Sequence, residues 1–215
     1  MTVRAVVFDV GETLIDETRA WSAWADALGV PRLTLFGVLG GVIARGGSHR
    51  EPFELLRPDA DIGAMLRDPA TASLADFVQI GDFYPDAVPA LQALVAAGYR
   101  VGIAGNQPSR TEAMLRDLDV ELALIGSSAT FGVAKPDPAF FERIVATLDL
   151  PAGDVAYVGD RLDNDVRPAR AVGLVTVFIR RGPWAWLQAG RTDPPEADLV
   201  IDGLPELPAA LSRLG

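Results

Sequence analysis

No cysteine occurs among the 215 residues, which excludes a disulfide framework, a thiolate nucleophile and a cysteine-ligated zinc site, and leaves the redox compartment open. Histidine is nearly as scarce. His49 stands alone, which argues against a histidine-rich metal site and against a Ser-His triad. Lysine also occurs once: of 19 basic residues every one except Lys135 is arginine. With 29 acidic residues the net charge is −10, which argues against nucleic acid as a partner, because binding along a phosphate backbone needs clustered cations. No run of 18 or more uncharged apolar residues is present, and no basic amino-terminal segment leads into an apolar stretch. Neither a membrane span nor a signal peptide is expected, and a cytoplasmic location follows by default.

What is present is a series of short apolar runs rich in Val, Ile and Ala: VRAVVFDV, YRVGIAG, LALIGS, DVAYVGD and LVTVFI, with DLVI near residue 200 as a sixth. Each has the length of a buried strand, and amphipathic stretches separate them at residues 86–97, about 109–118, 138–148, 164–172 and 205–213. Continuous apolar strands alternating with helices predict a doubly wound α/β domain with a mostly parallel sheet covered on both faces. The interval between Ile15 and Phe83 breaks the alternation. It contains TRAWSAWADAL, an apolar stretch at 33–44, FELLRP and a further helical segment around 72–81, and reads as a small helical insert at 16–82 within a core of 1–15 and 83–215. An insert after the first strand is expected above the carboxyl ends of the strands, where open α/β sheets bind ligands and where it could act as a lid. Trp21, Trp24, Phe36 and Phe53 are expected to form its core, a substrate box being the alternative. RGGSHRE, at 45–51, is expected to be an exposed loop, with an anion contact through Arg45, His49 and Arg50 as the other reading. Residues 180–195, with RRGPWAW and RTDPP, read as a loop.

The lone lysine directs attention to chemistry. A chain that uses arginine everywhere else keeps one compact ammonium in FGVAKPDPAFF, where a planar guanidinium would not serve, unless Lys135 is simply a solvated loop residue. Asp9 ends the first apolar run and would point into the ligand crevice, as a nucleophile or as a cap of the turn that follows. Thr13 bonds the same turn or only shapes it. Asp160, Asp163 and Asp165 follow another strand in VGDRLDND, where carboxylates suit magnesium completed by water and substrate phosphate, although Asp163 reads first as a helix cap. Such carboxylates repel one another unless a divalent cation and Lys135 compensate them.

These segments resemble the motifs of the haloacid dehalogenase-like hydrolase superfamily, in the branch with a helical cap after the first core strand. FDVGETL resembles the first motif, GIAGN the second, AKPDP the third and VGDRLDND the fourth, in order and across nearly the whole chain. The resemblance implies a Rossmann-like core and a Mg²⁺ cofactor. Asp9 would be nucleophile and metal ligand, the Gly11 carbonyl, Asp160 and Asp165 further metal positions, and Lys135 the charge-neutralising cation and substrate contact. Thr13, Gly105 and Asn106 would meet the substrate, with Asn106 also counted among the catalytic residues.

Two positions depart from the family pattern. Gly11 stands where phosphatases of the family carry an acid/base aspartate, a loss of about 10²- to 10⁴-fold if nothing replaces it; adjacent Glu12 could partly substitute, although a one-residue shift redirects its side chain. Gly105 stands where the family has a Ser or Thr hydroxyl, costing about 10²- to 10³-fold or else widening the site for a larger substrate. The expected function is a magnesium-dependent phosphatase of a small phosphorylated metabolite, monomeric or homodimeric. The alternatives are a catalytically impaired phosphate-binding protein or a 2-haloacid dehalogenase. Dehalogenases of this family do not need magnesium, so the retained Asp160 weighs against the last.

Overall fold

The computed structural model describes residues 2–67, 79–189 and 196–214. The packing divides them into two compact units, one built from residues up to Ile15 and from Phe83 onward, the other from Asp16 to Asp82.

The first unit is built on six strands: β1 Ala5–Phe8, β2 Arg100–Gly105, β3 Leu124–Ser127, β4 Val155–Gly159, β5 Val175–Ile179 and β6 Leu199–Ile201. All pair in parallel, in the order β3-β2-β1-β4-β5-β6. Every residue of β1, β4 and β5 is buried, which is why these strands read as unbroken aliphatic runs. From β1 the chain winds outward to β2 and β3, then crosses back to β4 and winds the other way. The reversal lies between β1 and β4, and such a switch point opens a crevice at the carboxyl ends of the two strands.

In the Asp16–Asp82 unit, α1 (Thr18–Ala27), α2 (Arg32–Ala44), α3 (Glu51–Leu56) and α4 (Ile62–Arg67) surround Trp24, Ala25, Leu28, Leu35 and Phe53. The Phe53 ring lies 6.0 Å from Trp21 and 5.0 Å from Trp24, so these aromatics form the interior of the unit. Arg45, His49 and Arg50 are exposed, and Arg45 pairs with Glu51. The expected helix at 72–81 falls mostly outside the described residues. Its last part, Ile80–Asp82, is a single 3₁₀ turn. Arg19 grips Asp82 through Nε and Nη2, each at 2.7 Å, and the Asp16 N–H donates to the Asp82 carbonyl at 2.9 Å. Just inside the first unit, Ile15 bridges Phe83 and the Tyr84 N–H donates to the Leu14 carbonyl at 2.9 Å.

Helices α5 (Ala87–Ala96), α6 (Ser109–Arg116), α7 (Ser128–Phe131), α8 (Pro138–Leu148), α9 (Arg167–Val172), α10 (Gly182–Ala189) and α11 (Leu207–Leu211) complete the first unit. Local chemistry sets their ends. Asp137 accepts the Ala139 N–H at 2.9 Å and Pro138 opens α8 where no donor is needed. The expected helix at 164–172 has two parts, a π-helical turn at Leu162–Val166 followed by α9. The expected loop at 180–195 is corrected by α10: Pro183 sits in the first helical turn, where proline is tolerated, and burial of Trp184 and Ala185 secures the helix. Among the described residues no single helix is long and apolar enough to cross a membrane.

Candidate active site

Asp9 leaves β1 and Asp160 leaves β4 on either side of the switch point, where the Asp9 N–H donates to the Val158 carbonyl at 2.9 Å. Lys135, between α7 and α8, is buried and not a solvated loop residue. Its Nζ lies 2.7 Å from Asp9 Oδ1 and 2.6 Å from Asp165 Oδ1. One carboxylate oxygen from each of Asp9, Asp160 and Asp165 falls within 4.8 Å of the others. The sheet therefore gathers residues 9, 135, 160 and 165 into one buried cluster.

Its electrostatics follow from counting. With all three carboxylates ionised, one ammonium would leave two negative charges uncompensated in a buried site where water screens poorly. Burial pushes the Asp160 carboxyl well above the usual carboxylate range, with the charges of Asp165, Asp9 and Glu12 adding to the effect. Burial also pushes Asp165 up to about 6 against the opposing pull of Lys135. For Lys135, burial alone would lower the ammonium, but the adjacent Asp165 and Asp9 raise it well above its ordinary value and keep it charged. Asp160 Oδ2 is buried with no hydrogen-bond partner among the described residues. An orphaned carboxylate oxygen beside two further acids is a donor set that fits a hard divalent cation such as magnesium. The residues thus fit the cofactor that the sequence implies.

The supporting contacts are specific. Asn106 brackets the lysine's main chain, accepting the Lys135 N–H at 2.8 Å and donating to the Lys135 carbonyl at 2.9 Å. Both ends of its amide are thereby engaged in placing Lys135. The Tyr157 ring lies 5.5 Å from Lys135 Nζ, and its hydroxyl donates to the Ala104 carbonyl at 2.8 Å. Tyr157 was hidden in the sequence inside an aliphatic strand, where a lone polar-tipped aromatic was the available signal. A side chain at Gly159 would lie 2.5 Å from Asp165, so glycine there lets that carboxylate close on the strand end.

The two departures from the family pattern acquire a geometry. A Cβ at Gly105 would lie 2.6 Å from Asp9 Oδ1, so the Asp9 carboxylate occupies the space that a hydroxyl-bearing side chain would need. Gly11 is half-buried in the turn after Asp9. Next to it Glu12 adopts φ +51°, a left-handed conformation unusual for a side-chain-bearing residue, and is buried with Oε2 accepting the Tyr84 hydroxyl at 2.7 Å. Thr13 is fully buried and its hydroxyl finds no partner among the described residues, while its carbonyl accepts from Arg181 at 3.1 Å. Asp163, outside the acid cluster, pairs with Arg161 at 2.7 Å.

The family model of the haloacid dehalogenase-like hydrolases matches residues 3–173, a span that includes Asp9, Lys135, Asp160 and Asp165. The chain belongs to that family. It is 31% identical to the glyceraldehyde 3-phosphate phosphatase of Methanopyrus kandleri, over 95% of either chain. It is 30% identical to the sesquiterpene phosphatase astK of Aspergillus oryzae, over 83% of this chain and 90% of the relative. Among solved structures, the putative HAD-hydrolase YfnB from Bacillus subtilis, bound to magnesium, shares the fold with a TM-score of 0.71 at 21% identity, over 98% of this chain and 99% of that one.

Proposed function

We propose that the protein is a magnesium-dependent phosphatase acting on a small phosphorylated metabolite through an aspartyl-phosphate on Asp9. The observation that carries this reading is the unbalanced charge at the switch point, where three buried acids meet one ammonium and one acid oxygen has no partner. With its three acids ionised the cluster is short of two positive charges, which one divalent cation supplies. The two relatives named above are both called phosphatases, for substrates whose organic parts differ widely, so their names support phosphate-ester chemistry without fixing the leaving group.

Asp9, Asp160 and Asp165, with the main-chain carbonyl of Gly11, would hold the magnesium, which when bound neutralises the acids and draws charge from a phosphoryl oxygen. Asp9 attacks phosphorus in line and breaks the bond to the ester oxygen, which leaves on the opposite side and takes its proton from water because Gly11 has none to give. Lys135, kept charged by Asp165, faces the negative charge that spreads over the equatorial oxygens. Asn106 fixes the lysine's main chain, and the unpartnered Thr13 hydroxyl is available to the phosphoryl group. Water then cleaves the acyl-phosphate and frees Asp9.

Gly11 cannot move a proton, so turnover is slow. Glu12 does not replace the missing acid; its carboxylate is committed to Tyr84 and anchors the turn. Replacing it with Gln therefore lowers turnover by less than about 10-fold, whereas losing a true general acid would cost about 10²- to 10⁴-fold.

The deciding experiment is hydrolysis of a generic aryl phosphate with and without magnesium, by wild type and by Asp9→Asn. Metal-dependent turnover that disappears in Asp9→Asn supports the proposal. Complete inactivity across a broad panel of phosphorylated metabolites, with phosphate binding intact, favours the second reading, a phosphate-binding protein. The missing acid at Gly11 and the missing hydroxyl at Gly105 are what speak for that reading. The unpartnered Asp160 oxygen weighs against a dehalogenase, which has no use for a divalent ion.

A further inference from the structure

The magnesium-binding turn is gripped from outside by a helix to which the motifs give no role. Asp160 and Asp165 flank Arg161 and Leu162, and each of these two residues is held by α10. The Leu162 N–H, at the start of the π-helical turn, donates to Gln188 Oε1 at 2.7 Å, while Gln188 Nε2 donates to Asp163 Oδ1 at 2.9 Å. The Arg161 guanidinium lies 5.0 Å from the ring of buried Trp184 and is anchored by Asp163 through two hydrogen bonds, at 3.2 and 2.7 Å. The main chain of the same arginine fixes the acid: the Arg161 N–H donates to Asp165 Oδ2 at 3.0 Å, leaving Asp165 Oδ1 for Lys135 at 2.6 Å. At its leading end α10 is tied to the first acidic turn as well, since Arg181 donates to the Thr13 carbonyl at 3.1 Å and lies 4.4 Å from the Tyr84 ring, whose hydroxyl holds Glu12.

We infer that Gln188 and Trp184 are positioning residues for magnesium: α10 sets the placement of the Asp160–Asp165 turn and thereby the affinity of the site for its metal. The inference rests on the magnesium reading of the cluster. The physical reason is that turn atoms left to move must be ordered when the ion binds, and partners outside the ligand shell of metal sites typically account for about 10- to 100-fold in affinity.

Isothermal titration calorimetry with magnesium chloride on the full chain tests it. Gln188→Met keeps length and volume but loses both hydrogen bonds, and is expected to weaken magnesium binding about 10-fold. Turnover of the aryl phosphate should fall at low magnesium and recover at saturating magnesium, with KM for the aryl phosphate unchanged. A merely structural role would not produce that pattern. Trp184→Phe, which keeps the apolar packing and weakens the stack on Arg161, is expected to lose about two- to threefold in affinity. Trp186→Ala, at an exposed position of the same helix, serves as the control and should bind as wild type does. An unchanged magnesium Kd in folded Gln188→Met overturns the inference and leaves the phosphatase proposal standing. If Gln188→Met does not fold, an unchanged Kd in Trp184→Phe overturns it equally. A wild-type chain that takes up no magnesium overturns both the metal reading and this inference, whereas one that binds magnesium without turnover overturns the phosphatase reading alone.

Discussion

Two ion pairs in this molecule have the same length and opposite meanings. Arg32 and Asp26, on the surface of the inserted unit, approach to 2.6 Å with more than half of each side chain exposed. Lys135 and Asp165, in the crevice of the core, also approach to 2.6 Å, with 1% and 0% exposed. Water and salt screen the first pair, and holding two long side chains in one geometry offsets most of its attraction. In the second pair neither charge has an alternative partner in solvent, so removing one strands the other. Distance alone carries little information here. Burial decides the direction: the exposed Asp26 carboxyl is lowered by its Arg32 partner, whereas burial raises Asp165 in spite of Lys135.

The largest test of that contrast is Asp9→Asn, which should bring aryl-phosphate turnover below detection in a continuous assay while the fold survives. Next is Lys135→Met. It leaves Asp9 and Asp165 without their cation and should lower unfolding stability by about 3–5 kcal/mol in denaturant titration, beside abolishing turnover.

A subtler test uses the sign of the Asp160 shift. Its folded-state value lies well above the ordinary 3.8, so the folded state holds this proton more tightly than the unfolded chain does. The resulting stability is present below about pH 4 and is lost as pH rises through the folded-state value. Metal-free Asp160→Asn should therefore melt at a higher temperature than metal-free wild type at neutral pH, and should gain less from added magnesium. Equal melting temperatures in chelator would show that the carboxyl is not strained by burial. At the small end, Arg32→Ala should leave the melting temperature unchanged within error. A clear drop would erase the distinction drawn between the two pairs.

Much of this was legible in the sequence because the central strands are buried on both faces. Ala5–Phe8, Val155–Gly159 and Val175–Ile179 could only be aliphatic, and the acids at 9 and 160 follow two of them directly. The single lysine stood out by composition. Long-range placement was not legible. RRGPWAW carries turn residues, and the helix it forms depends on burying Trp184 and on Gln188 meeting Leu162, 26 positions away in the chain. Asn106 sits beside the second-motif position, and nothing local reveals that Lys135 folds back between its two amide ends. Tyr157 gave no periodic signal, since a fully buried strand has no polar face to alternate with.

The junctions at Ile15–Phe83 and Asp16–Asp82 make the inserted segment a cassette. Because its first and last residues are already neighbours, the core meets it as if it were a hairpin loop, and a few linker residues could stand in for all of it without unpairing a strand. A scaffold joined in this way can exchange its insert while the acids and the ammonium of the core stay where the sheet puts them.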